Sequence, residues 1–271
     1  MSPRVNGLAE YLRARRAQLQ PADVGFPGDP GRRVSGLKRA EVAELAGISL
    51  EYYTRLEQGR TYQLSEHVLA NLANALRLEG DEAAYLYRLA LPRPPVREGI
   101  TQISDAVRIL VDEWSDFPLS VSDRNHDFIL VNDIAEAVFP LVTPGHNAVE
   151  AVFQVPASTR ELPDWKTLAR DTVAALRYHG DPSEPRFQEI VGALSVRDAD
   201  FRSIWAEHEA RPLRSGSVPV FIDGFGSGDF PWQSLAVPGG YFMVVYIGPP
   251  GSFVAEATEW LRNRIRLDVA G

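Results

Sequence analysis

Along residues 7 to 91 the apolar positions recur three and four residues apart, the spacing of helices that each bury one face. Residues 7 to 19 read as a first helix, with Leu8, Tyr11, Leu12 and Leu19 on one side and Arg13, Arg15 and Arg16 near its end, where cations suit the helix dipole. Gln20 to Gly36 is rich in Pro and Gly and reads as a loop. Leu37 to Gly59, LKRAEVAELAGISLEYYTRLEQG, then reads as two short helices joined by a tight turn. Leu37, Val42, Leu45 and Ile48 form the apolar face of the first, Gly47 can take the left-handed backbone that ends it, and Ser49 can cap the second. In that second helix Tyr53 and Leu56 face inward while Leu50, Glu51, Tyr52 and Arg55 face out, and Gly59 closes it. Ser65 to Leu76 is a fourth helix, and Asp81 is expected to cap a fifth ending near Leu91. Together they predict a five-helix bundle built around a helix-turn-helix, the layout of a DNA-reading module.

The pattern changes after LPRPPVREG, where prolines stop the helix and favour an extended spacer. This divides the chain into a helical domain at 1–91, a Pro-rich linker at 92–99 and a second domain at 100–271. In the second, helices are predicted at 101–114, 132–139, 162–178, 187–194, 198–208 and 252–267. Strands are predicted at 119–122, 127–131, 218–222, 232–237 and 241–247 from their alternating or continuous apolar runs. The expected fold is an all-α domain followed by an α+β domain, a five-stranded antiparallel sheet with helices on one side.

Charge sharpens the division. The 271 residues carry a net charge of -8, but residues 1 to 100 hold 14 Lys+Arg against 12 Asp+Glu, or +2, leaving 14 against 24, or -10, for the rest. A modest positive balance with clustered arginines suffices for phosphate contact, and Arg32, Arg33 and Lys38 read either as such contacts or as solvated charges. The chain has no Cys, which excludes disulfides and thiolate metal sites. No apolar run approaches the roughly 20 residues of a membrane helix, and the N-terminal stretch has no apolar signal core, so a cytoplasmic protein without membrane association is expected.

With LRARR, GLKRAEVAELAGIS and EYYTRLEQGR in the first part, the chain resembles Xre-family (lambda-repressor-like) helix-turn-helix regulators. LVNDIAEAVF, LPDWKTLARDTVAALR, GALSVRDADFRSIWAEHE and YFMVVYIGPPGS extend the resemblance to members carrying an MmyB-like, PAS-like ligand-binding domain. The resemblance implies that Leu50, Glu51 and Arg55 face base edges, that Arg39 faces phosphate or base, and that Arg16 and Glu57 form an internal salt bridge. The chemistry agrees, since arginine can pair with guanine, glutamate can accept from cytosine and leucine can pack on a thymine methyl. Tyr52 either reaches phosphate or shields the helix.

For the second domain the resemblance implies a pocket for a fatty acid or similar apolar molecule. Phe128, Phe153, Trp165, Phe187, Phe201, Trp205, Trp232, Phe242 and Tyr246 read equally as pocket lining and as ordinary core. Arg197, Arg202 or His208 could meet a ligand carboxylate, or could be helix-surface charges. Asp198 with Asp200, and His208 with Glu209, lie too close along a helix to converge on one substrate, and Walker, GxSxG, HExxH and zinc-ligand patterns are absent from the sequence. The expectation is a non-enzymatic regulator of duplex DNA with no cofactor and no metal, a homodimer because one recognition helix reaches few base pairs. The alternative is a regulator whose second domain only dimerises or binds a protein.

Overall fold

The computed structural model describes residues 3–27, 34, 36–60, 64–91 and 103–270, with side chains described between Gly7 and Leu267. The expected linker at 92–99, and Arg32 and Arg33, lie outside the described residues. Residue contacts divide the chain into two compact units, one of Met1–Val96, Asp181–Val191 and Trp205–Arg211, the other of Arg97–Gly180, Gly192–Ile204 and Pro212–Gly271.

The helical part holds α1 (Pro3–Gln18), α2 (Arg39–Leu45), α3 (Leu50–Glu57), α4 (Glu66–Ala75) and α5 (Asp81–Ala90). Tyr11, Leu12, Leu37, Val42, Tyr53, Leu56, Leu69, Leu72 and Leu86 form its solvent-free core. α1 packs on α3 and α5, and α4 packs on α2 and α5. Gly47 ends α2 with φ +62°, a left-handed conformation that glycine adopts without steric cost. The Ser49 hydroxyl then accepts from the Tyr52 amide at 3.1 Å, capping α3.

Two local expectations are corrected. Leu45 is 38% exposed because it ends α2, and Ala46 takes the buried position beside it. Asp81 is not the cap of α5; Gly80 is, and Asp81 lies in the first turn, where its charge favours the helix dipole. Gly36 is required by proximity, since a Cβ there would stand 2.4 Å from the Ala17 carbonyl oxygen. This close approach lets the Leu37 amide donate to the Arg16 carbonyl at 3.0 Å and ties the helix-turn-helix to the end of α1.

The second part runs α6 (Asp105–Glu113), β1 (Leu119–Ser122), β2 (Phe128–Val131), α7 (Asp133–Val138), α8 (Ala148–Phe153), α9 (Ala157–Arg160), α10 (Pro163–His179), α11 (Pro185–Arg197), α12 (Ala199–Ala206), β3 (Ser215–Ile222), β4 (Gly226–Val237), β5 (Tyr241–Tyr246) and α13 (Phe253–Ala270). The five strands form one antiparallel sheet in the order β2-β1-β5-β4-β3. β4 begins earlier than its apolar alternation suggests, because the Gly-rich FIDGFGSGDFPW pairs through Ile222 and Gly226 as a hairpin, and β3 begins earlier because Ser215, Gly216 and Ser217 pair with Gln233, Trp232 and Pro231.

Register shows that the helices are not confined to one side of the sheet. Leu119 and Val121 pair with Val245 and Met243, and this face packs against Ile103, Val107 and Val111 at and before α6. The opposite face carries Ser120 paired with Val244 and Trp232 paired with Tyr246. On that face Phe230 packs with Val254, Ala257 and Leu261 of α13 and with Ile134 and Val138 of α7. Both faces are therefore covered, as the continuous burial of β1 requires.

Candidate functional site

On α3 the side chains of Glu51 and Arg55 are exposed, Leu50 is 50% exposed, and Tyr52 is half-buried. Lys38 and Arg39, also exposed, stand at the start of α2. The capped helix thus presents acceptor, donor and apolar groups outward, a set that suits base edges in a major groove.

Beneath this face lies a buried carboxylate. The Glu57 side chain is solvent-free, and Arg16 donates to it through Nε at 2.6 Å and Nη2 at 3.3 Å. Arg39, read from sequence as facing DNA, donates its Nε to Glu57 Oε2 at 2.6 Å while keeping 48% of its side chain exposed. A third Arg16 bond, from Nη1 to the Leu37 carbonyl at 2.7 Å, extends the network to the start of the helix-turn-helix. Burial alone would raise the Glu57 carboxyl, but the hydrogen bonds from Arg16 and Arg39 outweigh it and hold the group below the usual carboxylate range. Because Arg39 serves this network, Arg39→Ala is expected to reduce the unfolding midpoint of the helical part together with DNA affinity, which urea titration and anisotropy measured side by side would check.

The second part contains an apolar cavity of about 340 Å³, within the range of small-molecule pockets. Phe128, Trp165, Trp232 and Tyr246 line it. The Trp165 indole donates to the Val152 carbonyl at 2.9 Å, which fixes the ring against α8. Sequence reasoning missed much of the wall: Val138 and Phe139 after β2, Ala151, Val152 and Val155 around α8, and Leu168 on α10. It also missed three buried polar residues of the lining, Ser120, His126 and Thr172. Burial pushes His126 down to about 4, so at neutral pH its ring is uncharged.

Other candidates lie outside that lining. Phe153 packs edge-on against Trp165 and Phe201, at ring separations of 5.8 and 5.4 Å, and Phe201 is fully buried. Trp205 faces Phe187 at 6.1 Å, and the Phe242 ring lies tilted against His179 at 4.1 Å. Arg202 donates to the Ser195 and Val196 carbonyls at the end of α11, and Arg197 meets Glu150 at 3.5 Å. His208 adopts φ +55° after α12 and is not among the residues that line the cavity.

Asp198 and Asp200 do converge, but on Arg160 at 2.8 and 3.0 Å. Arg160 also donates to the Phe153 carbonyl and lies over the Trp165 ring, so the trio braces the wall and presents no free acid and base. A larger depression of about 500 Å³ is lined by Arg108, Arg262 and Arg266 against Asp112, Asp116 and Asp133, and its charges offset one another. Among the described residues no cluster of three His, Asp or Glu could hold a metal, and no helix is long and apolar enough to cross a membrane.

Comparison with known families places both regions. The model of a helix-turn-helix domain matches residues 8–86, and that of the MmyB-like transcription regulator ligand binding domain matches residues 103–261, more than half the chain. No curated protein matches the chain. Both matched families are regulatory modules rather than enzymes.

Proposed function

The chain belongs to the MmyB-like transcription regulators, DNA-binding proteins that join a helix-turn-helix to a ligand-binding domain, and from that premise we propose that it senses a small apolar, fatty-acid-like molecule. The observation that carries this reading is the cavity walled by Phe128, Trp165, Trp232 and Tyr246 inside the matched ligand-binding region. Transfer of each methylene into such a space contributes about 0.8 kcal/mol, so a chain of moderate length binds without many polar contacts. Mass spectrometry of an organic extract of the purified protein tests it. A copurifying apolar molecule in stoichiometric amount is expected; extracts from several preparations that hold none, with no uptake of added alkyl probes, would leave the domain a dimerisation or protein-binding module.

At the other end, α3 is the proposed reader of a cytoplasmic operator by a homodimer, whose two-fold symmetry doubles the base pairs read. Arg55→Ala is expected to lower operator affinity by about 1–3 kcal/mol and to relax preference at the base it meets. Selection from a random duplex pool measures both effects. Unchanged affinity and unchanged preference would assign the recognition surface elsewhere.

A further inference from the structure

Building on the reading that the regulator is a homodimer, we infer that two copies meet through the charged depression walled by α6, the end of β2, the start of α7 and the C-terminal half of α13, each copy setting its arginines against the aspartates of the other. The depression, of about 500 Å³, is lined by Arg108, Arg262 and Arg266 and by Asp112, Asp116 and Asp133. Arg262 and Asp116 satisfy one another at 2.5 Å. The other four side chains are exposed, and among the described residues none of them takes part in an ion pair or a side-chain hydrogen bond. Two guanidiniums and two carboxylates therefore stand around one concavity without partners.

The pattern of signs decides which occupant fits. Residues 101 to 271 carry 14 Lys+Arg against 24 Asp+Glu, so two copies of this part repel over most of their surface. The depression is balanced, with three charges of each sign. A two-fold axis brings one residue of the first copy to a second residue of its partner and the reverse, so a balanced face complements itself and each Arg–Asp contact forms twice. A partner of a single sign would set like charges against half of the free groups. A small zwitterion would match the charges but leave the apolar groups beside them in water. Ile109 is 60% exposed and lies three residues from Asp112 on the outer side of α6, while Val107 and Val111 face the sheet. Leu267, 73% exposed, follows Arg266 on α13. A second copy covers apolar groups and pairs the charges around them, the anatomy of a specific interface.

Sedimentation velocity of the full-length protein over a series of concentrations tests the surface with two charge-reversed variants. Arg108→Asp joined to Arg266→Asp makes the four free positions all acidic, and Asp112→Arg joined to Asp133→Arg makes them all basic, whatever the pairing across the axis. Each variant alone is expected to dimerise at least about 100-fold more weakly than the wild type, because every contact among the four positions is then between like charges. An equimolar mixture of the two should regain wild-type association, since an acidic face meets a basic one. All four positions are exposed, so the far-ultraviolet circular dichroism of each variant should match the wild type, and recovery on mixing confirms that both chains are folded. Variants that stay as dimeric as the wild type, or that dissociate and do not recover on mixing, overturn the inference; a dimeric wild type then leaves the homodimer reading intact and gives the depression to another occupant, such as a small zwitterion. A wild type that is monomeric at every concentration overturns that reading as well.

Discussion

Glu57→Ala is expected to lower the unfolding free energy of the helical part by about 3–5 kcal/mol, the usual cost of stranding a buried charge. Two guanidiniums lose their acceptor together, because Arg16 and Arg39 both donate to the solvent-free Glu57 carboxylate. A loss of that size removes a large share of the 5–15 kcal/mol that typically holds a domain folded. Exchanging Arg16 and Glu57 for apolar residues of similar volume should be milder than Glu57→Ala, since the one cation that then loses its partner, Arg39, keeps 48% of its side chain in solvent. Thermal melting by far-ultraviolet circular dichroism reads the helices of the whole chain, so the comparison is of melting curves of variant and wild type, where an added low-temperature phase reports the weakened helical part. Acid should mimic the mutation. The depressed Glu57 carboxyl contributes stability that is full above the ordinary carboxylate range and is lost as pH falls through its lower folded value. A variant that melts like the wild type but no longer binds DNA would move Glu57 from architecture to the DNA contact itself.

The second large effect is a loss of stability in mild acid caused by His126. Its folded value near 4 lies below the ordinary 6.5, so the unfolded chain takes up the proton first. The sign follows directly: the contribution is full above pH 6.5 and disappears as pH falls to about 4, a window worth about 3 kcal/mol at 1.36 kcal/mol per unit. Carboxylates add their own acid sensitivity, so the decisive quantity is the difference between proteins. The wild type should lose about 3 kcal/mol more between pH 7 and pH 4 than His126→Asn, measured by urea unfolding followed through tryptophan fluorescence. Equal losses in the two proteins would mean that the ring already titrates normally in the fold.

Local chemistry explains which parts of this architecture the sequence discloses. Gly47, Ser49, Tyr53 and Leu56 act on their own turn or face, so the helix-turn-helix can be read from their spacing. The Arg16–Glu57 bond spans 41 residues and rests on resemblance, while the entry of Arg39 into it is a tertiary fact with no local signature. The five strands are legible where apolar residues alternate or run unbroken, as in β1 and β2, and blurred where Gly and Pro interrupt the period of β3 and β4.

Cavity and core are built from the same residue types. Trp165 lines the cavity while its neighbour Phe153 turns to Phe201, and nothing in the sequence distinguishes those orientations. The missed helices α8 and α9 are only 6 and 4 residues long, too short for a period to emerge. One signal for α8 was present, however: Asn147, whose side-chain oxygen accepts from the Val149 and Glu150 amides, opens an N-cap pattern immediately before an apolar run. His126 carried none, since its significance comes from burial against α10 rather than from its neighbours in the chain.

If the second part senses an apolar molecule, occupancy of its cavity is expected to change DNA binding by the first. A ligand shifts such an equilibrium only to the extent that it binds the two states unequally, and coupling energies of about 1–3 kcal/mol are typical. The direct measurement is fluorescence anisotropy on a duplex enriched from a random pool, comparing protein as purified with the same protein after its apolar molecules are extracted and after they are restored. A shift in affinity of roughly 5- to 150-fold is expected on extraction, reversed on restoration. Identical affinity in all three samples, with occupancy verified by mass spectrometry, would contradict it.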